Sequence, residues 1–323
     1  MGVPPNVRDC LWQVQPARHY VEDKKLKKFL KTSDWNGGKN IAVPESPDKS
    51  ATDEHLEEMA EIFVQSNGVQ EKIDTIIELF ELMRATAEER HANLTEQVRV
   101  RGKEIRYGNV CVLVHNATGK LLTVTKQRAF DGTSKRVSLD PHGSNNSAFL
   151  IRPAFKTYSD GSIISSGDLV TFTTKKTMSG SQYTLHMGDS AENAAEININ
   201  RQLMIDHDYI EDGRELNACV VNIHGGSVTL FRMLLMRSSE VEESKVAIRG
   251  EDVVTFYNKQ AGAYLHYDPK IASEPFFYES SRVSDKGRKK CQWMWKIESE
   301  QLYCGGEQVS ADEDTKKKYR IKH

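Results

Sequence analysis

The chain has 323 residues, 28% charged and 38% hydrophobic, with a formal net charge of −2. That balance excludes a disordered tail and a global basic field for nucleic acid, so any polyanion site must be local. Cys10, Cys111, Cys219, Cys291 and Cys304 are odd in number and widely spaced, against a disulfide scaffold or a cysteine zinc site and in keeping with a reduced cytosolic setting.

No run approaches the ~20 apolar residues that span a bilayer, and residues 1–10 lack the apolar heart of a signal peptide. In chain order, Asp9 to Gln15 alternates like a strand, with no partner strand before it. His19 to Thr32 is lysine-rich with a helical pattern, and residues 33–50 form a loop of Gly, Asn, Pro, Ser and Asp. Thr52 opens a helix that ends at Asn67-Gly68. A longer helix follows, with Ile73, Ile76, Ile77, Phe80 and Met83 at helical spacing, a stripe that predicts helix-on-helix packing.

From Arg106 the pattern becomes strand-like and repeats. Tyr107-Gly108-Asn109-Val110 runs on to Lys120-Leu121-Leu122-Thr123. Gly167-Asp168-Leu169-Val170 runs on to Gln182-Tyr183-Thr184-Leu185-His186. Gly250-Glu251-Asp252-Val253 runs on to Gly262-Ala263-Tyr264-Leu265-His266. Each phrase reads as a glycine turn, an alternating strand and a second strand. Each closes later with an apolar strand: Ala148 to Phe155, Leu230 to Met236, and Trp293 to Glu298; Asp9 to Gln15 looks like the same closing strand.

One hairpin pair cannot bury its apolar face or hide its edges, so three such units must close on one another. The expected fold is mainly β: a β-trefoil with an inserted helical arm, followed by a second, incomplete β-trefoil. The expected boundaries are 1–17 with 105–240 for the first trefoil, which would lack its opening strands. The arm is expected over 18–104 and the start of the second trefoil over 241–323.

Motifs for chemistry fail one by one. Gly37-Gly38-Lys39-Asn40 lacks the spacing and hydroxyl of a phosphate loop. Asp206-His207-Asp208 with Glu211 and Asp212 lacks the glycine and oxygen ligand of a calcium loop. The ten histidines form no HExxH pair. His186 and His266 share a repeat position, which points to a structural role. No acid, base and nucleophile come together, so the chain reads as a non-enzyme without cofactor or metal.

These residues resemble a family. Val7-Arg8-Asp9-Cys10-Leu11-Trp12 resembles the FRDCLF strand of inositol trisphosphate receptors. Arg106-Tyr107-Gly108-Asn109-Val110 and Lys120-Leu121-Leu122-Thr123-Val124 are similar to that family's QYGNV and KYLTV. Arg136-Val137-Ser138-Leu139-Asp140 looks like its RVTLD, and Phe149 to Phe155 like its FYIQPFYK. The order of these phrases, kept through Trp295-Lys296-Ile297-Glu298 to Tyr319-Arg320-Ile321-Lys322-His323, makes the match specific.

The resemblance implies trefoils of the MIR type in a tetrameric, ligand-gated calcium-release channel at the cytosolic face of the endoplasmic reticulum membrane. The first trefoil would act as a regulatory suppressor. The second would bind inositol trisphosphate together with a helical region. The family's RTTGR loop corresponds here to Tyr278-Glu279-Ser280-Ser281-Arg282, with a basic run Lys286-Gly287-Arg288-Lys289-Lys290 nearby. The candidate inositol phosphate residues are therefore Ser280, Ser281, Arg282, Arg288, Lys289 and Lys290, arginine being suited to phosphate by its fork of donors. A ryanodine-receptor-like segment without that ligand and a free-standing trefoil binding module are the alternatives. No nucleic acid partner and no membrane insertion by this segment are expected. The chain is expected to be a fragment of a longer protein or a truncated gene product.

Overall fold

A computed structural model describes residues 7–32, 70–129, 131–177, 180–188, 216–223, 229–236, 246–270, 272, 274–279, 301–304 and 307–310. The chain divides into two compact units, residues 18–100 and residues 1–17 with 101–323.

The first unit contains helix α1 (Val21–Thr32) and the long helix α2 (Gln70–Val100). Leu26 of α1 is buried against Leu79 and Met83 of α2, with Phe29, Leu30, Phe80 and Leu82 at the margin. Leu79 and Met83 are one helical turn apart and so share a face. Ile77 is 51% exposed, because two residues carry it round to the far side from Leu79. The packed stripe is thus shifted from the one that the apolar spacing suggested. The side chains of Ile73 and Ile76, the helix expected from Thr52 and the loop at 33–50 lie outside the described residues.

The first turn of α1 leaves backbone N–H groups unbonded within the helix. Glu89 of α2 accepts from three of them, Val21 at 2.6 Å, Glu22 at 3.1 Å and Asp23 at 3.3 Å. A carboxylate there also meets the positive end of the helix dipole. Asn93, one turn on, clamps His19 through both its amide oxygen (2.7 Å) and its amide nitrogen (2.9 Å).

The second unit is mainly β. A 3-10 turn at Arg8–Cys10 leads into β1 (Trp12–Pro16), so the strand starts later than the alternation from Asp9 implied. There follow β2 (Val110–His115), β3 (Leu121–Arg128), β4 (Lys135–Asp140), β5 (Phe149–Pro153), β6 (Leu169–Thr174), β7 (Thr184–Met187), β8 (Leu216–Asn222) and β9 (Phe231–Leu235). The third phrase gives β10 (Val253–Asn258), β11 (Ala263–His266) and β12 (Phe276–Glu279). A separate hairpin joins β13 (Gln301–Cys304) to β14 (Glu307–Ser310).

Six strands close a ring in which each pairs antiparallel with its neighbours: β1 with β2, β2 with β5, β5 with β6, β6 with β9, β9 with β10, and β10 back to β1. Hairpin-like pairs β3–β4, β7–β8 and β11–β12 cover it, and β8 joins all three pairs by bonding to both β4 and β12. This is the pairing of a trefoil-like fold, and it removes every ring edge. The strands β10–β12, expected to open a second trefoil, complete this sheet, and the chain's first strand supplies the closing strand of their repeat. The reason is geometric: without β10 both β1 and β9 would keep an open edge.

Alternation fills the interior. Each ring strand sends two residues, i and i+2, into one core: Trp12 and Val14, Cys111 and Leu113, Phe149 and Ile151, Val170 and Phe172, Phe231 and Met233, Val254 and Phe256. The covering strands add Leu122 and Val124, Leu185 and Met187, and Leu265 followed by Tyr267, at matching repeat positions. Thr123, His186 and His266 lie between them, which confirms the repeat equivalence of the two histidines. Arg136 of β4 grips Glu274 with two nitrogens, at 2.9 and 3.3 Å, tying the first and third covering pairs.

The three repeats meet at the foot of the ring. Ile105 N–H donates to Ile248, Ile248 to Ile164, and Ile164 to Ile105, each at 2.9 Å, so three backbones form a closed triangle. Three residues after each isoleucine comes a left-handed position: Gly108 (φ 85°), Gly167 (φ 92°) and Glu251 (φ 69°). The next residue, Asn109, Asp168 or Asp252, accepts the N–H of Arg106, Ser165 or Arg249 at 2.8, 2.9 and 2.8 Å. The turn phrase therefore aligns Glu251, not Gly250, with the turn glycines.

Phe256 contacts Trp12 (ring centroids 6.4 Å) and stands edge-on to Phe172 (5.1 Å). Phe256→Ala should lower unfolding stability by about 3–5 kcal/mol in urea melts, the range for a buried phenylalanine; a cost under ~1 kcal/mol would mean that β10 is not part of this core. In the helical unit, Glu89→Ala should cost about 1 kcal/mol, the value of a lost N-terminal cap, read as an earlier loss of helical signal.

Candidate functional site

The loop singled out by sequence begins where β12 ends. In β12, Phe276, Phe277 and Tyr278 pair with Ala218, Asn217 and Leu216 of β8, while Glu279 opposes Ala263 of β11. Phe276 and Phe277 are fully buried, and Phe277 stacks on Phe231 (5.6 Å, 8° between planes), so the strand that delivers the loop is anchored in the core. Tyr278 and Glu279, the first two residues of the segment singled out by the sequence resemblance, are strand residues of the covering layer. Ser280, Ser281, Arg282, Arg288, Lys289 and Lys290 themselves lie outside the described residues, as do the Asp206-His207-Asp208 loop and the terminal Tyr319 to His323.

One cluster of reactive side chain types is brought together that sequence reasoning did not find. Cys10 Sγ lies 3.4 Å from His266 Nδ1, and His266 Nε2 lies 4.0 Å from an Asp9 carboxylate oxygen. His115 bonds the Asp9 carbonyl through Nε2 (3.2 Å) and the Thr118 hydroxyl through Nδ1 (3.0 Å). Its ring stands edge-on to Trp12 (5.1 Å) and Tyr267 (5.3 Å). Tyr267 N–H donates to the Asp9 carbonyl (2.9 Å), and Trp12 Nε1 donates to Leu265 O (3.2 Å). Cys10 and His266 are 256 residues apart in sequence, so no local spacing could show the cluster.

A cysteine, a histidine and an aspartate in a row suggest nucleophilic catalysis, but the electrostatics are opposite to what it needs. Burial, reinforced by the Asp9 charge, pushes the Cys10 thiol well above its usual value, whereas a nucleophile works as the thiolate. Burial pulls His266 down to about 3, with His115 adding to the effect, and pulls His115 down to about 4. Both rings are neutral at neutral pH, so the 4.0 Å approach of His266 to Asp9 is not an ion pair. Cys10, His115 and His266 all have zero exposure, which leaves no path for a substrate. The cluster is a buried seam that fastens the Arg8–Cys10 turn to the third repeat. Among the described residues, no group of three or more His, Cys, Asp or Glu could hold a metal ion.

The sign of the pH effect follows. Both folded pKa values lie below the usual 6.5, so between about 4 and 6.5 the unfolded chain binds more protons. The stability of this seam is present above pH 6.5 and is lost as pH falls through that window for His115 and on toward 3 for His266. Lowering pH from 7 to 5 should remove about 2 kcal/mol per histidine. Imidazole NMR signals should remain those of neutral rings at pH 5; titration of either ring near 6.5 would contradict the seam.

A family model described as inositol 1,4,5-trisphosphate/ryanodine receptor matches residues 2–207. Inositol 1,4,5-trisphosphate receptor itr-1 of Caenorhabditis elegans is 22% identical over 329 residues, covering 99% of this chain and 9% of that receptor. The chain thus spans about a tenth of the curated relative's length. Among solved structures, the SDF2-like protein of Arabidopsis thaliana matches 56% of this chain and 90% of its own, at 18% identity and a TM-score of 0.38. The S. cerevisiae protein O-mannosyltransferase Pmt1-Pmt2 complex matches over 55% of this chain and 24% of its own, at 14% identity and a TM-score of 0.39. The family model spans well over half of the chain and describes a receptor rather than an enzyme: this protein belongs to the inositol 1,4,5-trisphosphate/ryanodine receptor family.

Proposed function

We propose that this chain is the N-terminal regulatory and ligand-binding segment of a ligand-gated intracellular calcium-release channel of the inositol trisphosphate receptor type. The observation that carries the reading is the end-to-end alignment with a named receptor of that type. No helix among the described residues is long and apolar enough to cross a membrane, so a pore would be built by other parts of the receptor. On this reading the segment lies at the cytosolic face of the endoplasmic reticulum membrane and works against other domains and subunits of a tetramer. Residues 18–104 would be its regulatory arm. A second trefoil opening at 241 is a proposal about the longer receptor, where β10–β12 would have to leave the ring described above.

Inositol trisphosphate carries clustered negative charge, and the chain's net charge of −2 offers no general attraction. Recognition would rest on the local group Ser280, Ser281, Arg282, Arg288, Lys289 and Lys290, which follows β12 in sequence. A ryanodine-receptor-like role without this ligand is favoured by one specific feature: Tyr278 and Glu279 replace a basic and a neutral position of the family loop, and Glu279 repels phosphate.

The test is labelled inositol trisphosphate binding to the full-length receptor that carries this segment. Arg282→Gln should weaken binding about tenfold, the loss expected for a charge-assisted phosphate contact, and Arg288→Gln should act in the same direction. Unchanged binding in both variants would reject the site, and absence of binding in the wild type would favour the ryanodine-type role. The 323-residue chain alone should not bind at micromolar ligand, because further basic residues are needed.

A further inference from the structure

We propose that the Glu251 turn is a latch, in which a left-handed backbone and the seating of residues 101–105 hold each other in place. Among the described residues, Glu251 is the one non-glycine with positive φ, at 69°. Its two repeat equivalents, Gly108 and Gly167, take that conformation without a Cβ penalty, whereas an ordinary residue there is disfavoured by about 1–2 kcal/mol. Something must offset that cost, and it is visible beside the turn. Arg101 Nε sits 2.7 Å from a Glu251 carboxylate oxygen, and the Glu251 side chain is largely buried, at 15% exposure. Partial burial makes such a pair worth more than a surface one.

Backbone bonds join the same two segments. Gly102 N–H donates to Gly250 O (3.1 Å), Gly250 N–H to Lys103 O (2.8 Å) and Ile105 N–H to Ile248 O (2.9 Å). Arg101 also forms a parallel bridge with Gly250, and Glu104 an antiparallel one with Arg249. Residues 101–105 are where the chain returns to the sheet, and Ile105 is a corner of the isoleucine triangle. If the segment lifts, Arg101 leaves and Glu251 loses a contact that helps to hold it left-handed, keeping its N–H bond to Val14 O (3.4 Å). If the turn relaxes, the carboxylate moves away from Arg101. The linkage is reciprocal, as any coupling between two equilibria must be. A glycine turn has no such dependence, which is why this linkage belongs to the third repeat alone among the three.

The experiment is amide hydrogen exchange by NMR on the full chain, comparing Glu251→Gln with Glu251→Gly. Both remove the carboxylate, but only glutamine keeps the left-handed cost. In Glu251→Gln, the amides of Gly102 and of Asp252, which donates to Arg249 O at 3.0 Å, should exchange about tenfold faster. In Glu251→Gly, Asp252 should stay within about twofold of the wild type, because glycine holds the turn unaided. Equal acceleration of Asp252 in both variants would show an ordinary ion pair and overturn the latch; so would unchanged exchange in Glu251→Gln.

Discussion

Three backbone hydrogen bonds at the foot of the ring constrain everything above them. Ile105, Ile164 and Ile248 come from three repeats, each giving its N–H to one neighbour and its carbonyl to the other. A closed triangle of this kind satisfies the isoleucine amides and carbonyls at the point where three segments of the chain converge, and an unmatched buried group there would cost about 1–3 kcal/mol. It also fixes the phase of each following strand. Three residues on, all three segments turn through the same left-handed step and enter the ring in the same phase. The core of paired inward residues follows from that shared phase, since a one-residue slip in any repeat would turn its apolar side outward.

The triangle is only useful if the ring closes, and closure is non-local. The residues of β1 and β10 that pair, Trp12 with Val254 and Gln13 with Val253, are 242 and 240 residues apart in sequence. The buried seam around Cys10, His115 and His266 reinforces that junction. Its chemistry is that of a fastening: neutral rings, a protonated thiol and a tryptophan N–H spent on a carbonyl. The same residue types in a wet, electropositive cleft would be a catalytic candidate; burial decides against it. The seam is thus part of what holds the trefoil-like body together.

Much of this was legible in the sequence, for physical reasons. Alternation in Leu169–Thr174 is the mark of a strand with one buried side, Val110–His115 and Val253–Asn258 read as short apolar-rich strands buried on both sides after their first residue, and the recurring acid or amide after the turn marks the side chain that caps it. The equivalence of His186 and His266 was readable from Leu185 and Leu265 beside them. Other features were not. The turn register of the third repeat was hidden because Gly250 is a neighbour of the left-handed position, while Glu251 occupies it; a residue defying its own propensity can be seen only in the backbone. The partner of β10 was hidden because alternation says which side of a strand is buried, not which strand lies beside it. The candidate residues Ser280, Ser281, Arg282, Arg288, Lys289 and Lys290 come from the sequence alone, since they lie outside the described residues.

The most direct test of the account is a set of cross-strand nuclear Overhauser effects on the intact chain. Contacts between Trp12 and Val254, and between the Ile164 and Ile248 backbones, are predicted together, because ring and triangle close as one. Their joint absence, with the β9–β10 contacts of Met233 and Phe256 still present, would mean that the third repeat pairs with β9 but does not close the ring, and the account would fail.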